Sequence, residues 1–285
     1  MAAASGQFSE PPQLVIEAPP ELEFLRARFE SSNPNRLAGL VELAGLDSAG
    51  PLIRVDLVPE SSDMARQVAP WIAGFVRGGS DVVVMFPSRS PAYPHNSLDD
   101  VLRHEVAHVL IGRAAGDEQV PRWFNEGLAM AAERTRNLED QTRLLYQLVL
   151  GPASSLAELG RLFSGDQASQ DRAYALSGAL VRDLIDQHGE AAPGMILGRM
   201  RGGAPFVRAF TDITGQTPGE AESQFWQRQR IWTTWVPIIT SSAAVWAVVT
   251  IIALLAIRRR RQKDAAMRRK WDEEEDGSPD EWLDY

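Results

Sequence analysis

Apolar positions along the chain change their spacing about a third of the way in. Before residue 90 there are two runs rich in β-branched residues, PLIRVDLVPE (51–60) and SDVVVMFPS (80–88). Each is bounded by turn-forming residues and each predicts a strand. ELEFLRARFESS (21–32) and NRLAGLVELAGL (35–46) read as helices before them, and SSDMARQVAPWIAG (61–74) as a short helix with a turn between them. Beyond the Pro- and Ser-rich loop PSRSPAYPHNS the pattern turns helical. SLDDVLRHEVAHVLIGRAAG opens with Ser97 and Asp100 in capping positions and stops at glycine. PRWFNEGLAMAAERTRN, LEDQTRLLYQLVLG, SLAELGRLF, DRAYALSGALVRDLIDQHG, APFVRAFTDITG and TPGEAESQFWQRQRIWTTW continue the series, without an internal repeat.

The longest apolar stretch, WVPIITSSAAVWAVVTIIALLAI at 235–257, carries no charge. As a single helix rising about 1.5 Å per residue it reaches ~34 Å, enough for the ~30 Å hydrocarbon layer of a bilayer. A C-terminal transmembrane helix is therefore expected, the alternative being a buried core helix. Trp232 and Trp235 mark one end and Arg258–Arg261 the other, so the positive-inside rule puts 258–285 in the cytoplasm and 1–231 outside, as in a single-pass cell-membrane protein. That topology needs an export signal. MAAASGQFSEPPQ has neither a basic n-region nor a long apolar h-region, and a true start upstream of Met1 is the expectation. The tail after Ile257 changes from basic to acidic and reads as flexible.

Composition narrows the chemistry. Hydrophobic residues make up 44% and charged residues 24% of the 285, which excludes wholesale disorder and a multispanning membrane protein. The formal net charge is -9 and the one dense basic run is Arg258–Arg261, so nucleic acid is not an expected partner. There are no cysteines, which removes disulfides, thiolate catalysis and thiolate metal sites. Any metal must be held by nitrogen and oxygen. Of the four histidines, two stand four positions apart.

Those two are His104 and His108, in HEVAH. One helical turn separates them, so both imidazoles leave the same face and can reach one cation. Glu105 lies about 100° round the helix, close enough to the open side of such an ion to take a proton from water. Glu126, on the next helix in RWFNEGLAMAAE, is the candidate third ligand. Two imidazoles and one carboxylate leave the fourth tetrahedral position open, the arrangement of a catalytic rather than a structural zinc site. The competing reading of Glu126 is a solvated glutamate favoured near a helix start by the macrodipole.

HEVAH followed by WFNEGLA resembles the gluzincin metallopeptidases, and most of all the small membrane-associated peptidase MA-like branch, over roughly 51–226. The resemblance implies Zn2+ ligation by His104, His108 and Glu126, Glu105 as general base, and a peptide or protein substrate lying along SDVVVMFPS as an edge strand. Related enzymes often stabilise the developing oxyanion with a Tyr or His, which makes Tyr174 a candidate catalytic residue, against its reading as a half-buried helix tyrosine. Thermolysin-like enzymes carry an aspartate one turn after the ligand glutamate, where this chain has Met130, so support for the ligands is open among Asp100, Asn125 and Glu133. Asp100 also has a capping role. His188 is explained by its helix C-terminus, and His95 is a surface residue or overhangs the cleft from its loop.

The expected architecture is α+β: a small N-terminal sheet with helices, a zincin-type metal helix, a mainly helical C-terminal half and one C-terminal transmembrane helix. Along the chain this gives a flexible N-terminus (1–12), a peptidase MA-like zinc hydrolase domain (13–231), the membrane helix (235–257) and a charged cytoplasmic tail (258–285). The function expected is that of a membrane-anchored zinc metallopeptidase. Its alternatives are an inactive, zinc-stabilised binding or assembly module and a metallohydrolase acting on a non-peptide bond.

Overall fold

The computed structural model describes residues 10–30, 35–89, 91, 95, 97–116, 118–132, 155–240 and 242–276. The predicted helix at 138–151, and Glu133, lie outside these residues. The chain divides into two units, 1–228 and 229–285.

In the first unit four strands form one sheet: β1 (Leu14–Glu17), β2 (Ile53–Leu57), β3 (Gly74–Val76) and β4 (Val82–Met85), in the order β1-β2-β4-β3. β1, β2 and β4 run parallel, and β3 runs antiparallel to β4. Alternation decides what each face does. Ile16, Ile53, Val55, Leu57, Val83 and Met85 are buried in the main core, whereas Val84 turns to the other face and joins Ala65 and Phe86 in a small second cluster.

Helices α1 (Glu23–Glu30), α2 (Asn35–Leu43) and α3 (Asp63–Gln67) accompany the sheet. α4 (Leu98–Ala115) packs across β3 and β4, and α5 (Arg122–Ala132) returns beside it. α6 (Leu156–Leu162), α7 (Gln167–His188), α8 (Ala192–Arg201) and α9 (Phe206–Thr214) complete the helical half, with α7 packed along α5. Ser97 caps α4 as expected, its Oγ accepting from the Asp100 amide at 3.2 Å and its hydroxyl donating to Asp100 Oδ2 at 2.8 Å. The fold is a mixed α/β one, with a small and mostly parallel sheet and a predominance of helices.

The segment leading into β3 is fastened by a buried cation. Arg89 makes a bidentate pair with Glu60 at 2.9 and 3.0 Å, and donates to the carbonyls of Ala65, Ala69 and Ile72, each at 2.8 Å. Its guanidinium also lies 4.1 Å from the Phe86 ring centroid. An interior arginine is tolerable only with its donors engaged in this way. The engagement fixes the 60–72 segment against the end of β4.

The expected transmembrane helix is overturned. No helix among the described residues is long and apolar enough to cross a membrane. The described helices here are α10 (Pro218–Thr240) and α11 (Ser242–Asp276). In α11 the apolar part runs only from Ser242 to Ile257 before the arginines begin, about 24 Å of helix against the ~30 Å required. The orientation expected from Arg258–Arg261 presupposed that span. α11 continues to Asp276, so the tail read as flexible is helical to that point.

Candidate metal centre

α4 carries His104 and His108 on its inner face, 2% exposed and half-buried respectively. Its far end is held by Arg113, which donates to the carbonyls of Ala49 and Pro51 and pairs with Asp81. α5 starts directly after Pro121, whose carbonyl accepts from the amides of Phe124 and Asn125. Trp123 and Phe124 then enter an aromatic cluster with Phe206 and Phe210, with ring centroids 5.1 to 6.5 Å apart. Gly127 lies against the Ser177 backbone of α7, where a Cβ would sit 2.3 Å from the Ser177 carbonyl oxygen. With this helix pinned on two sides, Asn125 and Glu126 face α4.

The result is a small triangle of donors. His104 Nε2 and His108 Nε2 are 3.1 Å apart, and each is 3.3 Å from Glu126 Oε2. An ion bound tetrahedrally at 2.0–2.1 Å needs neighbouring donors about 3.3 Å apart, so these three residues fit a zinc-sized divalent cation. Asn125 completes the arrangement: its Oδ1 lies 2.9 Å from His108 Nδ1 and accepts that proton, which leaves the Nε2 lone pair directed at the triangle.

Electrostatics agree with the geometry. Burial pushes the Glu126 carboxyl up, but His108 and His104 outweigh it and hold this group well below the usual carboxylate range. Burial pulls His108 down, yet Glu126 more than compensates and raises it. Two imidazoles and a carboxylate thus share charge at a point where a cation would satisfy all three.

The triangle opens on a cleft of about 580 Å³. Glu105 lines it, 6% exposed, and so does Tyr174, whose ring stands edge-on to His104 at 6.2 Å. Burial raises the Tyr174 phenol well above its ordinary value, Glu126 and Glu105 add to that, and Arg122 opposes it, so the hydroxyl keeps its proton. His95 also lines the cleft, with its ring 4.6 Å from that of His104.

The three expected ligands therefore converge, and Glu105 and Tyr174 stand in the same cleft. Among the open candidates for ligand support, Asn125 contacts His108. Asp100 instead caps α4 and pairs with Arg103 at 3.0 Å, and Met130 packs on Gly178. His95 overhangs the cleft, whereas His188 ends α7 and borders a different, much smaller cavity. The edge strand is corrected: Val82–Met85 is interior to the sheet, and the strand on the cleft side is β3. Arg122 and Phe163 are among the cleft residues that the sequence reading did not single out. Arg122 had a detectable signal, since it precedes Glu126 by one turn; Phe163 had none.

A HExxH helix whose histidines meet a glutamate from the following helix defines a zincin-like site. Residues 91–230 match the family model of the Peptidase MA superfamily, a match consistent with the cluster of His104, His108 and Glu126. Neither the curated proteins nor the solved structures yielded a match.

Proposed function

We propose that the protein is a zinc-dependent metallopeptidase that hydrolyses peptide bonds in the cleft above α4. The observation that supports this best is the 3.1–3.3 Å triangle of His104, His108 and Glu126 with Glu105 beside it. When bound there, zinc lowers the pKa of a water from about 15.7 towards ~7 and polarises a carbonyl oxygen. Glu105 takes the proton from the attacking water and delivers it to the departing amine nitrogen. Tyr174 donates a hydrogen bond from its hydroxyl to the carbonyl oxygen as negative charge develops on it.

Hydrogen bonding along β3 supports an extended peptide as substrate. The Ala73 carbonyl accepts from Phe86 N at 2.8 Å, and Arg77 N donates to the Val82 carbonyl at 2.9 Å, so these main-chain groups face β4. By antiparallel alternation, the N–H and C=O groups of Gly74 and Val76 face the free edge, and that edge lines the cleft. Gly74 also brings the strand close to the base: a Cβ there would lie 2.7 Å from Val101 Cγ1 and 3.2 Å from Glu105 Cγ.

The test is to purify the full chain, measure its zinc, and present a peptide library. Glu105→Gln is expected to retain stoichiometric zinc while turnover falls by ~10²–10⁴-fold. Zinc without cleavage of any peptide would sink the peptidase reading in favour of a non-catalytic module or a hydrolase of another bond.

A further inference from the structure

Among the described residues that line the cleft, Arg122 is the one lysine or arginine, against the acids Glu105, Glu126 and Asp171. It is held unlike the arginines that tie the fold together. Arg89, with 4% of its side chain exposed, donates to Glu60 and to three carbonyls, and Arg113 is engaged by Asp81 and two carbonyls. The Arg122 side chain is 51% exposed, and its one ion pair among the described residues is longer than an ordinary hydrogen bond, Nε lying 3.5 Å from Glu126 Oε1. What fixes the guanidinium is a ring: its carbon lies 4.5 Å from the Phe163 centroid. A planar fork laid on an aromatic face keeps its edge, and with it its N–H donors, available to a partner.

We propose, resting on the metallopeptidase reading, that Arg122 selects substrates with a carboxylate at or next to the residue that bears the scissile bond. Only the Glu126 carboxylate separates the guanidinium from the ligand triangle, with Oε1 turned to Arg122 and Oε2 to both imidazoles. An extended peptide advances about 3.3–3.6 Å per residue, so a chain whose carbonyl lies over the triangle meets Arg122 within about one residue of that bond. A guanidinium is a donor-only fork, and the group that matches it is an anion with two acceptor oxygens. Glu126, the acid paired with Arg122, is itself neutralised in its role as ligand. Glu105 and Asp171 line the same cleft and repel a carboxylate elsewhere in it, so Arg122 fixes where one can sit. Two sources supply this chemistry: the free C-terminus of a substrate cut at its last bond, or an acidic side chain beside the bond.

The experiment presents matched N-blocked peptides to the zinc-loaded full chain: free C-terminal acid against C-terminal amide, and amides with Asp against Asn beside the bond. The readout is a ratio of kcat/KM, acid over its neutral match, so any general loss of activity in a variant cancels. Wild type should favour the acid by about tenfold or more in one comparison, and which comparison it is identifies the source. Arg122→Gln should bring that ratio to within about threefold of unity. Arg122→Lys, which keeps the charge and loses the fork, should fall between the two and decides the matter should Arg122→Gln fail to fold. Calorimetry with the same peptides on zinc-loaded Glu105→Gln, with and without Arg122→Gln, reads the same ratio in Kd without turnover. A wild-type ratio near unity in both comparisons, or one unchanged in Arg122→Gln, would overturn the proposal and leave the peptidase reading intact. Weaker zinc binding in Arg122→Gln with the ratio kept would assign Arg122 to Glu126 alone, which also overturns it. A wild-type chain that cleaves nothing would remove the peptidase reading, and the calorimetric ratio would then decide the carboxylate site separately.

Discussion

Gly127→Ala separates two physical effects of opposite sign. In an unconstrained helix interior, exchanging glycine for alanine stabilises by ~1 kcal/mol, because alanine loses less backbone entropy. At position 127 the added methyl would lie 2.3 Å from the Ser177 carbonyl oxygen, 2.6 Å from Val181 Cγ2 and 2.8 Å from the Ser177 carbonyl carbon, where ordinary contact begins at 3.4 Å. Ser177 is helix backbone at 0% exposure and cannot turn aside, so α5 and α7 must part by about 1 Å. Overpacking of this kind costs ~1–3 kcal/mol, which cancels or exceeds the propensity gain. Glu126 is the adjoining residue and moves with the helix, and metal sites tolerate displacements of only about 0.2 Å. Urea unfolding of the metal-free variant should therefore give a midpoint no higher than wild type, and chelator competition should show zinc binding weakened at least ~10-fold. A variant stabilised by the full ~1 kcal/mol with wild-type zinc affinity would refute the claim that this glycine sets the distance of Glu126 from the histidines.

Two further outcomes follow from the surroundings of the ligands. Asn125→Ala frees His108 Nδ1 from its 2.9 Å acceptor, and zinc affinity read by chelator competition should fall by ~10–100-fold with the thermal unfolding of the metal-free protein little changed. In the metal-free protein the stability due to Glu126 is present above its unfolded pKa and is lost as pH falls through its depressed folded value. That due to His108 is complete below about 6.5 and is lost as pH rises through its raised folded value. Zinc needs a neutral His108, so its affinity should climb with pH until that raised value is passed, with proton release below it. Calorimetry at pH 6 in two buffers of different ionisation enthalpy checks this, and zero proton release there would contradict it.

The residues readable from sequence are those whose geometry is local. His104 and His108 are one turn apart on a capped helix, so their common face follows from helix geometry alone. Glu126 needed only a short connection and a second helix, and Pro121, Trp123 and Phe124 supply both. Asn125 stood among three candidates because the choice depends on how α5 is rotated about its axis. Gly127 fixes that rotation, through a contact with a residue fifty positions away. Tyr174 meets the site through the packing of α7 on α5 and Phe163 through the packing of α6 on α7, which no spacing in the sequence encodes.

At two places it is element length, not composition, that separates the sequence expectation from the structure. β1 and β3 have four and three residues, too few for alternation to register, and β3 starts at a glycine. Yet β3 is the strand that flanks the cleft, and its glycine is what admits Glu105 beneath it. A long substituent at Gly74 would improve the strand signal and destroy the approach. At 235–257 an apolar count sufficient for a bilayer is not carried by any one described helix, α11 being apolar only from Ser242 to Ile257. A membrane span requires one apolar helix axis about 30 Å long. Apolar content alone sets no such axis, and the sixteen positions from Ser242 to Ile257 fall short of it on length.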